Sequence, residues 1–276
     1  MTGIATPPVP PQAGPPPSRP PSRGLRLGLI IGIPILVALI VLAGVIAVAL
    51  PFALRSPVHQ RLDLAGGSSI SVAVDDASFD FAPSDDGRIH VAVSGWSTVA
   101  SPVSARTSQG RTTIDGGCPR IWFSPCSLHL TGTRPPSADL TVAGTNGGIL
   151  TRGILGTIDA GTTNGTVDVR GAVGTLRLHS TNGGIRLSGA KTSTVTADTT
   201  NGAIDLTFTT VPASVDARAT NGAITVSVPG SASYAVSAHT INGAVDTSRL
   251  STDPTSPNRI TAITINGMVR VQSSPR

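Results

Sequence analysis

Residues 199–208 read TTNGAIDLTF, an Asn-Gly pair set between threonines and an alternating apolar stretch. Alone it reads as a turn feeding a β-strand, because Asn and Gly tolerate the positive φ that tight turns require. The phrase returns along the chain as TNGGI, TNGTV, STNGGI, ATNGAI, TINGAV and TINGMV. The pairs begin at Asn146, Asn164, Asn182, Asn201, Asn221, Asn242 and Asn266, with spacings of 18, 18, 19, 20, 21 and 24 residues. A period of this size is the signature of stacked repeats.

Aligning the copies on Asn exposes two strand faces. Six positions before it stand Leu140, Ile158, Leu176, Val195, Val215, Val236 and Ile260; four before stand Val142 and Leu178 with five alanines. Two before stand small residues, mostly Thr or Ser. Beyond the turn, the third position is Ile or Val in every copy, and the fifth is Leu, Val or Thr. Each unit is therefore a strand, a corner and a second strand, both turning alternate side chains inward. One unit cannot bury its apolar face, but stacked units about 4.8 Å apart form a continuous core. The pattern predicts an all-β fold, a β-solenoid (β-helix) of about 18–21-residue coils with Asn-Gly corners over residues 140–276. On this alignment the Asn side chains have inward parity and form an amide ladder from coil to coil.

The outward columns carry no catalytic constellation. The fourth position after Asn reads Leu150, Asp168, Arg186, Asp205, Thr225, Asp246 and Arg270, which predicts ion pairs between adjacent coils. His179 and Asp198 fall side by side three positions before Asn, but a flat exposed sheet offers no pocket to shift their pKa. Thr145, Thr163, Thr181, Thr200 and Thr220 predict an exposed threonine column. Residues 55–139 alternate less regularly, as in SISVAV, RIHVAVSGW and SLHLTG, and read as degenerate N-terminal coils covering an open sheet edge.

Upstream, residues 1–25 hold nine prolines and read as a disordered, polyproline-like cytoplasmic tail. Residues 26–54 contain a 28-residue charge-free run, long enough for a single transmembrane helix. Arg19, Arg23 and Arg26 precede it and Arg55 follows, so the positive-inside rule places the N-terminus in the cytoplasm and the C-terminal domain outside. The rival is a cleavable signal peptide ending at Ala47-Val48-Ala49; the apolar core is long for that class. Cys118 and Cys126 bracket CPRIWFSPC, and an even count in an exported domain predicts a disulfide rather than half a metal site.

Composition narrows the function. There is no Glu and only one Lys, Lys191. Outside the three upstream arginines, seventeen basic and fifteen acidic side chains leave a net of +2, with no concentrated basic element of the kind that binds nucleic acid. No phosphate-binding loop, nucleophile motif or metal-ligand cluster stands out. The reading is a non-enzymatic protein without catalytic residues, cofactor or metal, whose partners are the membrane and a cell-envelope protein or glycan. Two alternatives stay open: a polysaccharide-active β-helix enzyme, which needs clustered carboxylates on one wall, and an envelope-stress regulator.

The repeat [ST]-x-N/D-G-x-[IV]-x-[LV], from LHLTGTRPPSADLTVAGTNGG (128–148) through TINGAVDT (240–247), resembles the bacterial putative-adhesin family of unknown function. The likeness runs over about residues 60–271. It implies a β-solenoid at the cell envelope and brings no catalytic residues. The Cys118–Cys126 segment and the Pro-rich tail depart from that family's pattern.

Overall fold

The structure is a computed structural model that describes residues 23–53, 55–97, 102–118 and 126–274. Most of the Pro-rich tail, residues 1–22, lies outside the described residues, as does the 119–125 segment between the cysteines. The chain divides into two units, Met1–Leu50 and Pro51–Arg276.

The first unit holds most of helix α1 (Arg23–Ala53), which starts four residues before the charge-free run. Its stretch Gly32–Leu50 is long and apolar enough to cross a membrane, and its side chains are exposed. Isolated in water, such a surface is unfavourable; in hydrocarbon it is matched, and the helix satisfies its own backbone polar groups.

The second unit is built from strands. Its irregular front comprises β1 (Ser56–Leu64), β2 (Ser69–Asp75), β3 (Ala77–Pro83), β4 (Ile89–Ser97), β5 (Val103–Ser108), β6 (Arg111–Gly117) and β7 (Ser127–Arg134). Five regular coils follow: β8/β9 (Asp139–Asn146, Ile149–Arg152), β10/β11 (Ile158–Asn164, Val167–Arg170), β12/β13 (Leu176–Asn182, Ile185–Ala190), β14/β15 (Thr194–Asn201, Ile204–Phe208) and β16/β17 (Ser214–Asn221, Ile224–Val228). The last two coils are β18/β19 (Ala235–Asn242, Val245–Asp246) and β20/β21 (Arg259–Asn266, Val269–Ser273).

First and second strands of the coils stack into two separate sheets, with parallel pairing whose register holds through the regular part except between β13 and β15, where it shifts beyond Leu187 so that Ala190 meets Phe208. One column of the second sheet runs Phe79, Ile149, Val167, Ile185, Ile204, Ile224, Val269, and every member is buried. The facing column runs Ile70, Leu140, Ile158, Leu176, Val195, Val215, Ile260. These columns meet between the sheets as one core. At about 25 cal/mol per Å² of apolar area, stacked columns of this kind are the main source of stability.

The order of stacking departs from chain order at both ends. Coil β20/β21 inserts between β16/β17 and β18/β19, so β20 pairs with β16 on one side and β18 on the other. Asn266 therefore lies between Asn221 and Asn242 in the stack, out of chain order. The long connection 247–258 gives the chain the reach to come back. At the other end β2/β3 sits between β6/β7 and β8/β9. The front is also not all coils. β1, β4 and β5 run antiparallel and close that end of both sheets, β5 on β6, and β1 on β4 on β7.

Candidate functional site

The corner column is the feature that the sequence repeats, and its geometry explains the phrase residue by residue. Each coil spends two residues at the corner, such as Gly202 and Ala203 between Asn201 and Ile204. Inward, the residue two before Asn reaches across to the next coil. Thr162 Oγ1 donates to the Gly147 carbonyl (3.1 Å), Ser180 to Gly165 (2.9 Å), Thr199 to Gly183 (2.9 Å), Thr264 to Gly222 (3.0 Å) and Thr240 to Gly267 (2.9 Å). A buried hydroxyl thereby satisfies a corner carbonyl that the sheet ladders leave over.

The glycines answer to a different constraint from the one expected. Only Gly147 and Gly267 of the seven have a positive φ, and none of the asparagines does. What excludes a side chain is contact between rungs: a Cβ on Gly202 would lie 2.2 Å from the Gly183 carbonyl oxygen, and one on Gly183 1.8 Å from that of Gly165. Gly is required because carbonyl stacks on α-carbon at the corner.

The asparagines are exposed, which corrects their expected inward placement. The ladder itself forms on the surface. Asn164 Nδ2 donates to Asn146 Oδ1 at 2.7 Å, Asn182 to Asn164 at 2.8 Å, Asn201 to Asn182 and Asn221 to Asn201 both at 2.9 Å. It continues in stacking order, Asn266 to Asn221 at 2.7 Å and Asn242 to Asn266 at 2.8 Å. At its other end Asn146 donates to Asp76, which sits at φ 54° in the tighter corner of β2/β3. Asp76 was not legible as a corner because VDDAS lacks the Asn-Gly pair.

In the outermost coil the Cys118–Cys126 disulfide takes the place of that corner. β6 ends at Gly117 and β7 begins at Ser127, so nine residues of sequence connect these strands where two do elsewhere. The bridge holds Cys118 and Cys126 with their Cα atoms 5.6 Å apart. Leu128 N then donates to the Asp76 carbonyl at 3.2 Å, joining this coil to the next.

The outward ion pairs form differently from the predicted ladder. Asp246 and Arg270 pair across adjacent coils at 3.3 Å. Asp168 instead meets Arg170 on its own strand at 2.7 Å, and Asp216 meets Arg218 in the same way at 2.9 Å. Arg186 stands in register with Asp168 and Asp205 without an ion pair to either. A residue two along the same strand points to the same face, so these arginines reach a nearer carboxylate. His179 and Asp198 are cross-strand neighbours. The Asp198 carboxyl is held above its ordinary range by partial burial and by the Asp216 charge, which Arg218 and His179 offset.

One charged cluster escaped sequence reasoning. Antiparallel pairing sets Asp63 on β1 opposite His90 on β4, and Asp86 lies one short turn before His90. His90 Nδ1 meets Asp63 Oδ1 at 2.7 Å while Nε2 meets Asp86 Oδ2 at 2.8 Å. The hydrogen bonds to Asp63 and then Asp86 raise the imidazole pKa above its ordinary value. The backbone N–H of Arg88, followed by His90, lowers that of Asp86. Asp63 and His90, with Arg61 and the Asp80–Arg152 pair (2.9 Å), line an open groove of about 410 Å³ together with Gly132 and Ala92. Both imidazole nitrogens are engaged by carboxylates, so His90 holds strands together and has no free lone pair for base chemistry. Nearby, Ser78 Oγ and His129 Nδ1 lie 2.5 Å apart on the exposed face. Arg134 is fully buried, donates from Nη1 to the Pro135 (2.8 Å) and Ala138 (2.7 Å) carbonyls, and has its pKa pushed down by burial to about 10. Among the described residues, no group of three or more His, Cys, Asp or Glu side chains is placed to hold a metal ion.

Two sheets of stacked coils, a hydroxyl–carbonyl seam inside the corner and an amide ladder outside it define a parallel β-solenoid. The chain belongs to the Toastrack DUF4097 family, whose model matches residues 127–272. No curated protein matches the chain. Among solved structures, one described as a "putative adhesin" from Bacteroides fragilis is 14% identical, with a TM-score of 0.48, and covers 79% of this chain and 97% of its own. A "putative adhesin" from Parabacteroides merdae is 11% identical at a TM-score of 0.46, covering 79% of this chain and 95% of its own. A "putative cell adhesion protein" from Clostridium sporogenes is 10% identical at 0.43, covering 79% and 100%.

Proposed function

We propose that this protein is a single-pass, membrane-anchored β-solenoid of the bacterial cell envelope, with its N-terminus cytoplasmic and its C-terminal domain outside. Its role is non-enzymatic: the solenoid wall binds another envelope component, protein or glycan, or acts as a spacer, as an adhesin does. The observation that carries the placement is the charge-free run of 28 residues with three arginines before it and one after. The Cys118–Cys126 disulfide supports the same side of the membrane, because such bridges persist in oxidising compartments. The non-enzymatic reading rests on the walls. They present threonines and paired charges on open sheets, and the His90 cluster, the most strongly organised charged group, has both imidazole nitrogens occupied. Protease treatment of intact cells tests the placement. Residues 56–276 are expected to be degraded while a short N-terminal fragment survives. Full protection of the solenoid in intact cells, with digestion after lysis, would place it on the other side.

A further inference from the structure

The two ends of the solenoid are finished differently. Behind β6 and β7 the antiparallel strands close the stack, and the outermost edges carry Pro57, Arg61 and Asp63 on β1 and Arg106 on β5. Prolines and charges of this kind are what keep sheet edges from pairing with other chains. At the far end both sheets stop on edge strands paired on one side alone, β18 and β19. The edge strand AVSAHTIN has no proline and no ionisable residue except His239. The connection 247–258 covers the start of this edge, where Tyr234 bridges to Thr252 and exchanges hydrogen bonds with Ser251 and Asp253, and where Ser256 and Asn258 donate to the Ser233 carbonyl. Ala235 N donates inward, to the Asn258 carbonyl, so alternation aims the N–H and C=O groups of Val236, Ala238 and Thr240 at the open side.

Side chains follow the same division. Positions buried in all the regular coils are partly exposed here, with Val245 at 45%. The outward column changes character at this end too. It runs Thr145 to Thr220 through the regular coils, then becomes Ile265 (41% exposed) and Ile241 (66%), beside Met268 (40%). Open backbone, open core and an apolar corner thus meet on one surface.

We infer that this end is a self-association surface, on which a second copy of the chain pairs its own β18 antiparallel to β18 across a two-fold axis. A second copy supplies every element that the surface lacks: a strand edge with free N–H and C=O groups, apolar inner positions and an apolar corner. Like charges do not oppose the match, because the strand is neutral apart from His239. Keeping inner faces on one side requires residues of equal parity to face each other. The register that sets Ala238 opposite Ala238, and Val236 opposite Thr240, also keeps the two His239 rings from meeting.

That register can be tested in the full-length chain in membranes, where Cys118 and Cys126 are already paired. Directly opposed residues of a hydrogen-bonded antiparallel pair lie about 5.5 Å apart, within disulfide reach. Ala238→Cys is expected to give a disulfide-linked dimer on mild oxidation at least tenfold faster than Lys191→Cys, an exposed position on the wall. Val236→Cys and Thr240→Cys chains are expected to crosslink when mixed and far less when alone, which a misfolded or aggregated variant would not reproduce. Equal rates at 238 and 191, crosslinking of Ala238→Cys to a different protein, or a wild-type chain that sediments as a monomer at all concentrations would overturn the proposal.

Discussion

Thr199 and Gly183 lie on neighbouring coils, and the threonine hydroxyl donates to the glycine carbonyl at 2.9 Å from inside the corner. With Asn201 tied to Asn182 outside the same corner, the backbone is gripped from both faces. The contact also explains Gly202, whose missing side chain lets the coils approach closely enough for both bonds to form.

Thr199→Val removes the hydroxyl at nearly constant shape and leaves the Gly183 carbonyl without that donor. The expected loss is about 1–2 kcal/mol, the usual cost of an unsatisfied buried group. Denaturant unfolding of residues 56–276 measures it, and Thr200→Val, on the exposed outward side, is expected to change little.

Gly202→Ala and Gly189→Ala separate crowding from backbone conformation. Gly189 has φ 62° and open space where a Cβ would sit, with no atom within 4 Å, whereas Gly202 has no positive φ but a carbonyl oxygen 2.2 Å from that position. Ala at 189 is expected to cost about 1–2 kcal/mol, the usual penalty of the left-handed region. At 202 the loss is expected to exceed it, because two backbones must separate. Equal midpoints in urea would mean that crowding between coils at the corner costs no more than a left-handed φ.

The His90 cluster gives the front of the solenoid a pH dependence. A raised folded-state pKa means a contribution fully present below about 6.5 and lost as pH rises through the higher folded value. Asp86 acts at the other end. Its lowered pKa contributes above 3.8, and that contribution is lost as pH falls through the folded value. His90→Gln is expected to remove the alkaline loss, read as the change in urea midpoint between pH 5.5 and pH 8.5. An unchanged slope in the variant would assign it to other groups.

The disulfide serves one corner, so its effect is expected to be local. Replacing Cys118 and Cys126 together with Ser is expected to cost up to about 2–3 kcal/mol, the chain-entropy scale for a short loop. Hydrogen exchange is expected to rise in β6 and β7 and to stay unchanged beyond β10. Uniform acceleration would show that the whole stack depends on the bridge.

How far the sequence could be read follows from what each pattern encodes. Ile185, Ile204 and Ile224 recur at one offset from Asn, so inward parity, coil length and the second-strand register were all legible. The position of Asn266 between Asn221 and Asn242 was not. Val236 and Ile260 offer interchangeable inward residues, so the columns fix how coils register but not their order. The parity of Asn failed for a local reason: the inward alternation ends at Thr199, and the chain is already turning when it reaches Asn201. The Asp63–His90 contact depends on antiparallel pairing between strands without a repeat, which no spacing in the sequence announces.

The claim beneath all of these is that coils stack with Ile204 inside, between Ile185 and Ile224, and Asp205 outside, between Arg186 and Thr225. Hydrogen exchange on residues 56–276 carrying Ile204→Asp or Asp205→Ala tests it most directly. Ile204→Asp buries an unpaired carboxylate, so a loss of about 3 kcal/mol or more is expected, with protection falling in the neighbouring coils as well. Asp205→Ala is expected to stay within about 0.5 kcal/mol, as exposed substitutions do. Matching protection in the two variants, or a harmless Ile204→Asp, would contradict the inward register and the solenoid with it.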